Sequence, residues 1–511
     1  MPESTVIDAV QKLKAHLATI GDLHSAAAVL RWDQETLMPP RGAKGRADQL
    51  ATLTRVAHDL FVSPTTEALV TAAEVAASHL DPDSDDAALA RVTRRDHTRE
   101  TKLPSEFVAE RARARSLSVQ VWREARRQND FAAFQPSLDQ MIDFARRTAD
   151  YLGYDEHPYD ALLDLYEPDL TCGETARVFA RLREVTVPLV RAIAARGQVV
   201  DAGFLTQEFE ETKQRQFALG VAEAFGYDLT RGRLDESAHP FETAFHRDDV
   251  RITTRYDRRF LPAGIFGIFH EAGHALYEQG TAPSLARTPL ARGASHGMHE
   301  SQSRMWENLV GRSRAFWQYA YPRLLDTFPA QLRSVDLETF YRAVNRVSPS
   351  LIRVEADEVT YNLHTLLRFE LEKSLIEGEL KVKDLPEAWK AKMQTYLGLT
   401  PPTDADGVMQ DIHWAGGSLG YFPSYTLGNI LSVQLFAAAQ RAHPDLADLF
   451  RRGQFGTLLG WLREHVHRHG RKFLPKEILV RVTGSPLTPE PYLTYLQTKF
   501  GEIYGIAPAK N

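Results

Sequence analysis

Cysteine is all but missing from this chain: among 511 residues there is one, Cys172. A single cysteine excludes an intrachain disulfide and any metal centre built from several thiolates. It also fits a reducing compartment, so a cytoplasmic protein is expected. Excess positive charge is missing too. Lysine and arginine number 61 against 67 aspartates and glutamates, a formal net charge of −6, whereas a dedicated nucleic-acid binder is usually basic overall or in one long block. Arginines do crowd into 87–127, but acidic residues are interleaved there, and Phe107 and Trp122 are its only large aromatics. That stretch reads as solvated helix faces, not as a base-stacking platform. No apolar run reaches the roughly 18 residues of a membrane span. The stretch Met1–Asp8 lacks the basic start and apolar core of a signal peptide. Internal repeats, low-complexity tracts and flexible linkers are also lacking, so residues 1–511 are expected to form one unit without a separable linker. The remaining composition, 43% hydrophobic and 25% charged, is that of a globular chain with ample core material.

What is present is mostly helical. Val6, Ala9, Val10, Leu13, Leu17 and Ile20 fall at helical spacing, and Pro39-Pro40 closes that first helical region. Further helices are predicted over roughly 43–60, 65–79, 86–101, 104–128, 138–152 and 171–196. Beyond them come a long one from about 298 to 320, then 356–373, 385–397, 426–441 and 492–504. One stretch differs. Within 246–256, Val250, Ile252, Thr254 and Tyr256 alternate with Arg251, Thr253 and Arg255, the period of a strand. It predicts a small sheet, which either accepts an extended peptide along its edge or is a plain structural hairpin.

Just after that strand comes Gly264-Ile265-Phe266-Gly267-Ile268-Phe269-His270-Glu271-Ala272-Gly273-His274-Ala275-Leu276-Tyr277. Its apolar flanks predict a buried helix. On a helix, positions four apart share a face, so His270 and His274 can aim at one point, as two ligands of a tetrahedral ion must. Glu271 borders the same face and can hydrogen-bond a water there. Burying these groups without partners would cost about 1–3 kcal/mol for each unsatisfied one, and an ion with its water removes that cost. Catalytic zinc usually takes a third protein ligand. Tyr277 and Gly280 stand where the three-histidine variant of the motif would place its glycine and third histidine, which excludes that variant. Glu300 and Glu307, two helical turns apart on one face, are the candidates.

Several further motifs accompany this one. They are His239-Pro240-Phe241, Asp249-Val250-Arg251-Ile252-Thr253, His299-Glu300-Ser301-Gln302, Ile352-Arg353-Val354-Glu355-Ala356-Asp357 and Gly407-Val408-Met409-Gln410-Asp411-Ile412-His413-Trp414. With them the sequence resembles the carboxypeptidase Taq family of zinc metallocarboxypeptidases over essentially the whole chain. The resemblance implies a large, mostly α, two-lobed peptidase with a long groove, similar to neurolysin and angiotensin-converting enzyme, and a homodimer acting on peptides. It makes His270, His274 and Glu300 the ligands of Zn2+, for which Co2+ can substitute. Glu271 is then the general base. His413 and Tyr421, with Tyr425 as the competing tyrosine, are the oxyanion donors. A carboxypeptidase must bind a free C-terminal carboxylate, and Arg353 is the expected receptor; its rival reading is an ion pair with Glu355 or Asp357. Asp249 and Arg251 are read as supporting or substrate-strand residues. Asp357 and Glu358 are candidates to back a ligating histidine. The competing functions are an oligopeptidase that cuts internal bonds with the same zinc and base, and an inactive peptide-binding homologue.

Overall fold

Helices make up nearly all the secondary structure of the computed structural model, which describes residues 3–507. Met1 and Pro2, at the head of the stretch read for a signal peptide, lie outside those residues. Among the described residues, no helix is long and apolar enough to cross a membrane.

The first helix, Glu3–Thr36, buries Val10, Leu13, Leu17 and Ile20, the stripe its spacing predicts. These side chains pack with Ala57, Val70, Ala73, Ala76 and Leu89 from the next three helices. Among the described residues, the later chain adds just the short segment of Ala282, Leu285, Leu290 and Ala291 to that cluster, so the N-terminal helices have a small core of their own. Ser63 and Ser84 cap two of these helices, each hydroxyl accepting a backbone N–H. From Trp122 onward one continuous core runs to Tyr504 and includes the helix bearing His270 and His274.

The predicted strand is present as Asp249–Thr254, and two strands not predicted from sequence accompany it. β1 (Gly232–Glu236), β2 (Glu242–His246) and β3 (Asp249–Thr254) form a sheet in the order β1-β3-β2, with β1 parallel and β2 antiparallel to β3. Arg247 and Asp248 turn the chain between β2 and β3. Val250 and Ile252 are fully buried, as the period-2 pattern requires. Thr253 is buried as well, on the opposite side, because its hydroxyl accepts from Ser237 and from the Phe241 N–H. Asp249 and Arg251 pair with each other at 2.8 and 2.9 Å, and the Arg251 guanidinium lies over Trp32 of the first helix at 4.3 Å. Ser25 of that helix donates to the Phe245 carbonyl.

The histidine helix spans Leu261–Gly280 and packs against β3 on one side. The helix predicted from 298 to 320 is broken into pieces. His296–Arg304 is α-helical, Met305–Val310 is a π turn, and a new helix, Arg314–Thr327, starts from a Ser313 cap. π turns often lie at functional sites, and this one connects Glu300 to Glu307. Close approach of the segment to the histidine helix depends on Gly273, where a Cβ would come within 2.6 Å of the Ser303 Cα.

Candidate active site

The histidine helix is buried on nearly every side: Ile265, Phe266, Ile268, Phe269, Leu276 and Tyr277 are all core residues. Its histidines are the partial exception, with side chains 19% and 15% exposed for His270 and His274, enough for their donor atoms to be reached. The Nε2 atoms of both rings converge on Glu300 Oε2, at 3.5 and 3.4 Å. One donor atom from each of the three residues lies within 4.8 Å of the others. Two imidazoles and a carboxylate with lone pairs facing a shared point fit a zinc ion with a position left over. Glu300 is held in place from behind. Arg304 donates to its Oε1 at 2.7 Å, and Gly428 of helix Pro423–Ala442 leaves the room in which its Cβ and Cγ sit. Burial alone would raise the Glu300 carboxyl, but Arg304 and His270 outweigh it and hold the group far below the usual carboxylate range.

The opposite ring nitrogens are also occupied. His270 Nδ1–H donates to Glu307 Oε2 at 2.9 Å, and Glu307 in turn accepts from Arg304 and Arg312. Glu307, the rival third ligand, thus stands behind His270, on the side away from the shared point. His274 Nδ1 lies 2.5 Å from His299 Nδ1, and His299 Nε2 lies 2.9 Å from Glu278 Oε1. Asp357 and Glu358 do not back a ligating histidine. Asp357 accepts from the Ser348 N–H and from the Val359 and Thr360 N–H groups just before helix Tyr361–Glu377, and Glu358 pairs with Lys499 at 2.6 Å.

Glu271 is buried and, among the described residues, its carboxylate accepts no hydrogen bond from the protein. Burial pushes it up to about 7, against the lowering effect of the adjacent His270. A carboxyl poised near neutrality can both take and return a proton.

The remaining predicted residues gather in one corner. Arg353 is 4% exposed; its Nε and Nη2 donate to Asp411 Oδ1 and its Nη1 to the Tyr361 hydroxyl at 2.8 Å. The ion pair is therefore with Asp411, not with Glu355 or Asp357. Arg368 shares the other Asp411 oxygen, so two guanidinia face one carboxylate. Burial would raise Asp411, but Arg368 and Arg353 hold it far below the ordinary range. The Tyr361 ring also lies under Arg304, at 4.4 Å, which links this corner to Glu300. His413 Nε2 lies 3.2 Å from the Tyr425 hydroxyl, and burial lowers its pKa to about 4, so the ring is neutral at pH 7. Tyr421 and Tyr425 pack edge to face, 5.2 Å apart. The loop carrying His413 and Tyr421 is anchored by Glu372, which accepts from Trp414 Nε1, the Gly420 N–H and the Tyr159 hydroxyl. The structure thus brings His413, Tyr421 and Arg353 together, and places Asp249 and Arg251 on the sheet face that holds the first helix.

Glu278, His299 as a partner of His274, and Glu372 were not singled out from sequence. Glu278 had a signal, since it follows His274 by one helical turn. Glu372 had none, because its partners come from distant segments.

A two-histidine, one-glutamate donor set with an unengaged carboxylate beside it, on a helical scaffold with a small flanking sheet, defines a metal-dependent peptide hydrolase. Comparison with known proteins narrows the class. The chain belongs to the carboxypeptidase Taq (M32) metallopeptidase family, whose model matches residues 12–500. It is 44% identical to thermostable carboxypeptidase 1 of Thermus thermophilus, over 97% of this chain and 98% of that one. It is 40% identical to carboxypeptidase 1 of Bacillus subtilis, over 96% and 97%. The crystal structure of the M32 carboxypeptidase from Deinococcus radiodurans superposes with a TM-score of 0.94 at 43% identity, covering 98% of this chain and all of that one. The protein is accordingly a metallocarboxypeptidase.

Proposed function

We propose that the whole chain acts as one catalytic unit that removes C-terminal residues from peptides of varied sequence, with zinc held by His270, His274 and Glu300. The observation that carries this is the convergence of those three donors beside an unengaged Glu271. When bound there, zinc supplies Lewis acidity and makes water a nucleophile near neutral pH; cobalt fits the same donors. Glu271 takes the proton of the attacking water on its carboxylate and delivers it to the departing amine nitrogen. Neutral His413 and the Tyr421 hydroxyl donate to the oxygen that gains charge, and Tyr425 orients His413 through their 3.2 Å contact.

Arg353 and Arg368 against Asp411 leave one positive charge uncompensated in a buried corner, and a substrate carboxylate balances it. Asp249 and Arg251 take the supporting role, holding the first helix on the sheet. A cytoplasmic setting fits the single, buried Cys172, and the family resemblance supports a homodimer. The test is to assay wild type and Arg353→Ala on a free peptide and on its C-terminal amide. The wild type should prefer the free peptide strongly, and the variant should lose most of that preference through KM. An unchanged ratio would remove Arg353 from recognition. Equal cleavage of both by the wild type would favour the oligopeptidase reading.

A further inference from the structure

The two ligating imidazoles are backed differently. His270 meets a carboxylate directly, Glu307 at 2.9 Å. His274 meets another imidazole, and the carboxylate stands one residue further back. We propose that His299 is a positioning residue that accepts the Nδ1 proton of His274, and that Glu278 holds His299 in the one tautomer able to do so.

A histidine that binds an ion through Nε2 must carry its proton on Nδ1. That proton needs an acceptor, and His299 Nδ1 is 2.5 Å away. To accept there, His299 must carry its own proton on Nε2, and Nε2 faces Glu278 Oε1 at 2.9 Å. Glu278 is 8% exposed and its Oε1 also receives the Gly293 N–H at 3.1 Å, which fixes the carboxylate. Each donor in the row therefore has an acceptor, and the order runs one way only, from His274 to Glu278.

The surroundings are shaped for an imidazole at 299. A Cβ on Gly293 would come within 2.6 Å of its Cδ2. Its ring meets that of His274 edge to edge, 29° from coplanar with 4.6 Å between centroids, and lies 5.4 Å from Tyr277, which in turn faces His467 at 5.0 Å. Aromatic packing alone could justify a flat ring at this position, so the test must separate packing from hydrogen bonding.

His299→Phe keeps a flat ring and removes the acceptor, whereas His299→Asn removes the ring and keeps an acceptor oxygen where Nδ1 stands. Zinc affinity and the rate of zinc release to a competing chelator are measured on the full-length chain, with His274→Ala as control. The inference rests on the zinc reading above, and the control distinguishes the two. Metal ligands lose about 10–100-fold in affinity when such partners are removed. His299→Phe should fall by that much with faster zinc release, and His299→Asn should recover most of it. Wild-type affinity in His299→Phe, with a large loss in His274→Ala, would overturn the relay and leave the metal site standing. Unchanged affinity in His274→Ala would overturn the zinc reading itself. If the variants do not fold, nitrogen NMR of the zinc-loaded wild type decides, through the protonation of the His299 ring. A proton on Nε2 alone supports the relay, and a proton on Nδ1 contradicts it.

Discussion

At the scale of single residues, chemistry and support separate cleanly around His270 and His274. Among the described residues Glu271 accepts nothing from the protein, while Glu300 and Glu307 are each tied down by arginine. Glu271→Gln should therefore retain bound zinc, checked by metal analysis, while turnover drops roughly 100-fold or more. Turnover near the wild-type rate would remove Glu271 as the base. The two histidines and Glu271 were legible because a helix puts positions four apart on one face. Glu300 and Glu307 were legible as a pair but not as ligand and backing residue, since both face His270 and only the ring nitrogen each one meets tells them apart. Asp357 and Glu358 looked like backing residues by proximity in sequence to the Arg353 motif. Their bonds go instead to a helix start and to Lys499, partners set by the fold.

At the scale of elements, the site depends on three helices approaching more closely than side chains ordinarily allow. Gly273 admits the segment His296–Arg304 to the histidine helix, and Gly428 admits it to helix Pro423–Ala442. A methyl group at 428 would overlap the Glu300 side chain, and overpacking of this kind costs about 1–3 kcal/mol. Gly428→Ala should lower the thermal midpoint by a few degrees and weaken zinc binding together, seen by unfolding with and without added zinc. A variant with normal zinc affinity would show that Glu300 has room to shift. Hydrophobic periodicity found the helices but not their interruptions. The π turn at Met305–Val310 retains an apolar pattern that reads as continuous helix. Alternation from Val250 found β3, whereas β1 and β2 are short and carry no such pattern.

At the scale of the whole molecule, a buried carboxylate joins segments far apart in the chain. Glu372 receives Tyr159, Trp414 and Gly420, and so pins the loop that carries His413 and Tyr421. Burial raises its pKa from 4.5 to about 7. Between those values the native state holds a proton that the unfolded chain has released, so stability falls as pH rises through that window, by about 3 kcal/mol for this group. Glu372→Gln should flatten the decline in denaturant-measured stability between pH 4.5 and 7 relative to wild type, whereas an unchanged slope would assign that decline to other groups. The mostly helical class, the small sheet and the family were readable from the chain itself, because motifs spread from His239 to Trp414 are local strings. The sharing of Asp411 by Arg353 and Arg368, and the separate core of the N-terminal helices, arise from contacts between distant segments and leave no local trace.

Cleavage at peptide C-termini with a metal held by His270, His274 and Glu300 is what we propose for this chain. Mass spectrometry of a defined peptide digest, with metal analysis of the same enzyme sample, tests it most directly. The account predicts a ladder of products shortened one residue at a time from the C-terminus, about one zinc per chain, and loss of the ladder on chelation with recovery when zinc returns. Internal fragments in place of a ladder, or a ladder that persists after the metal is removed, would contradict it.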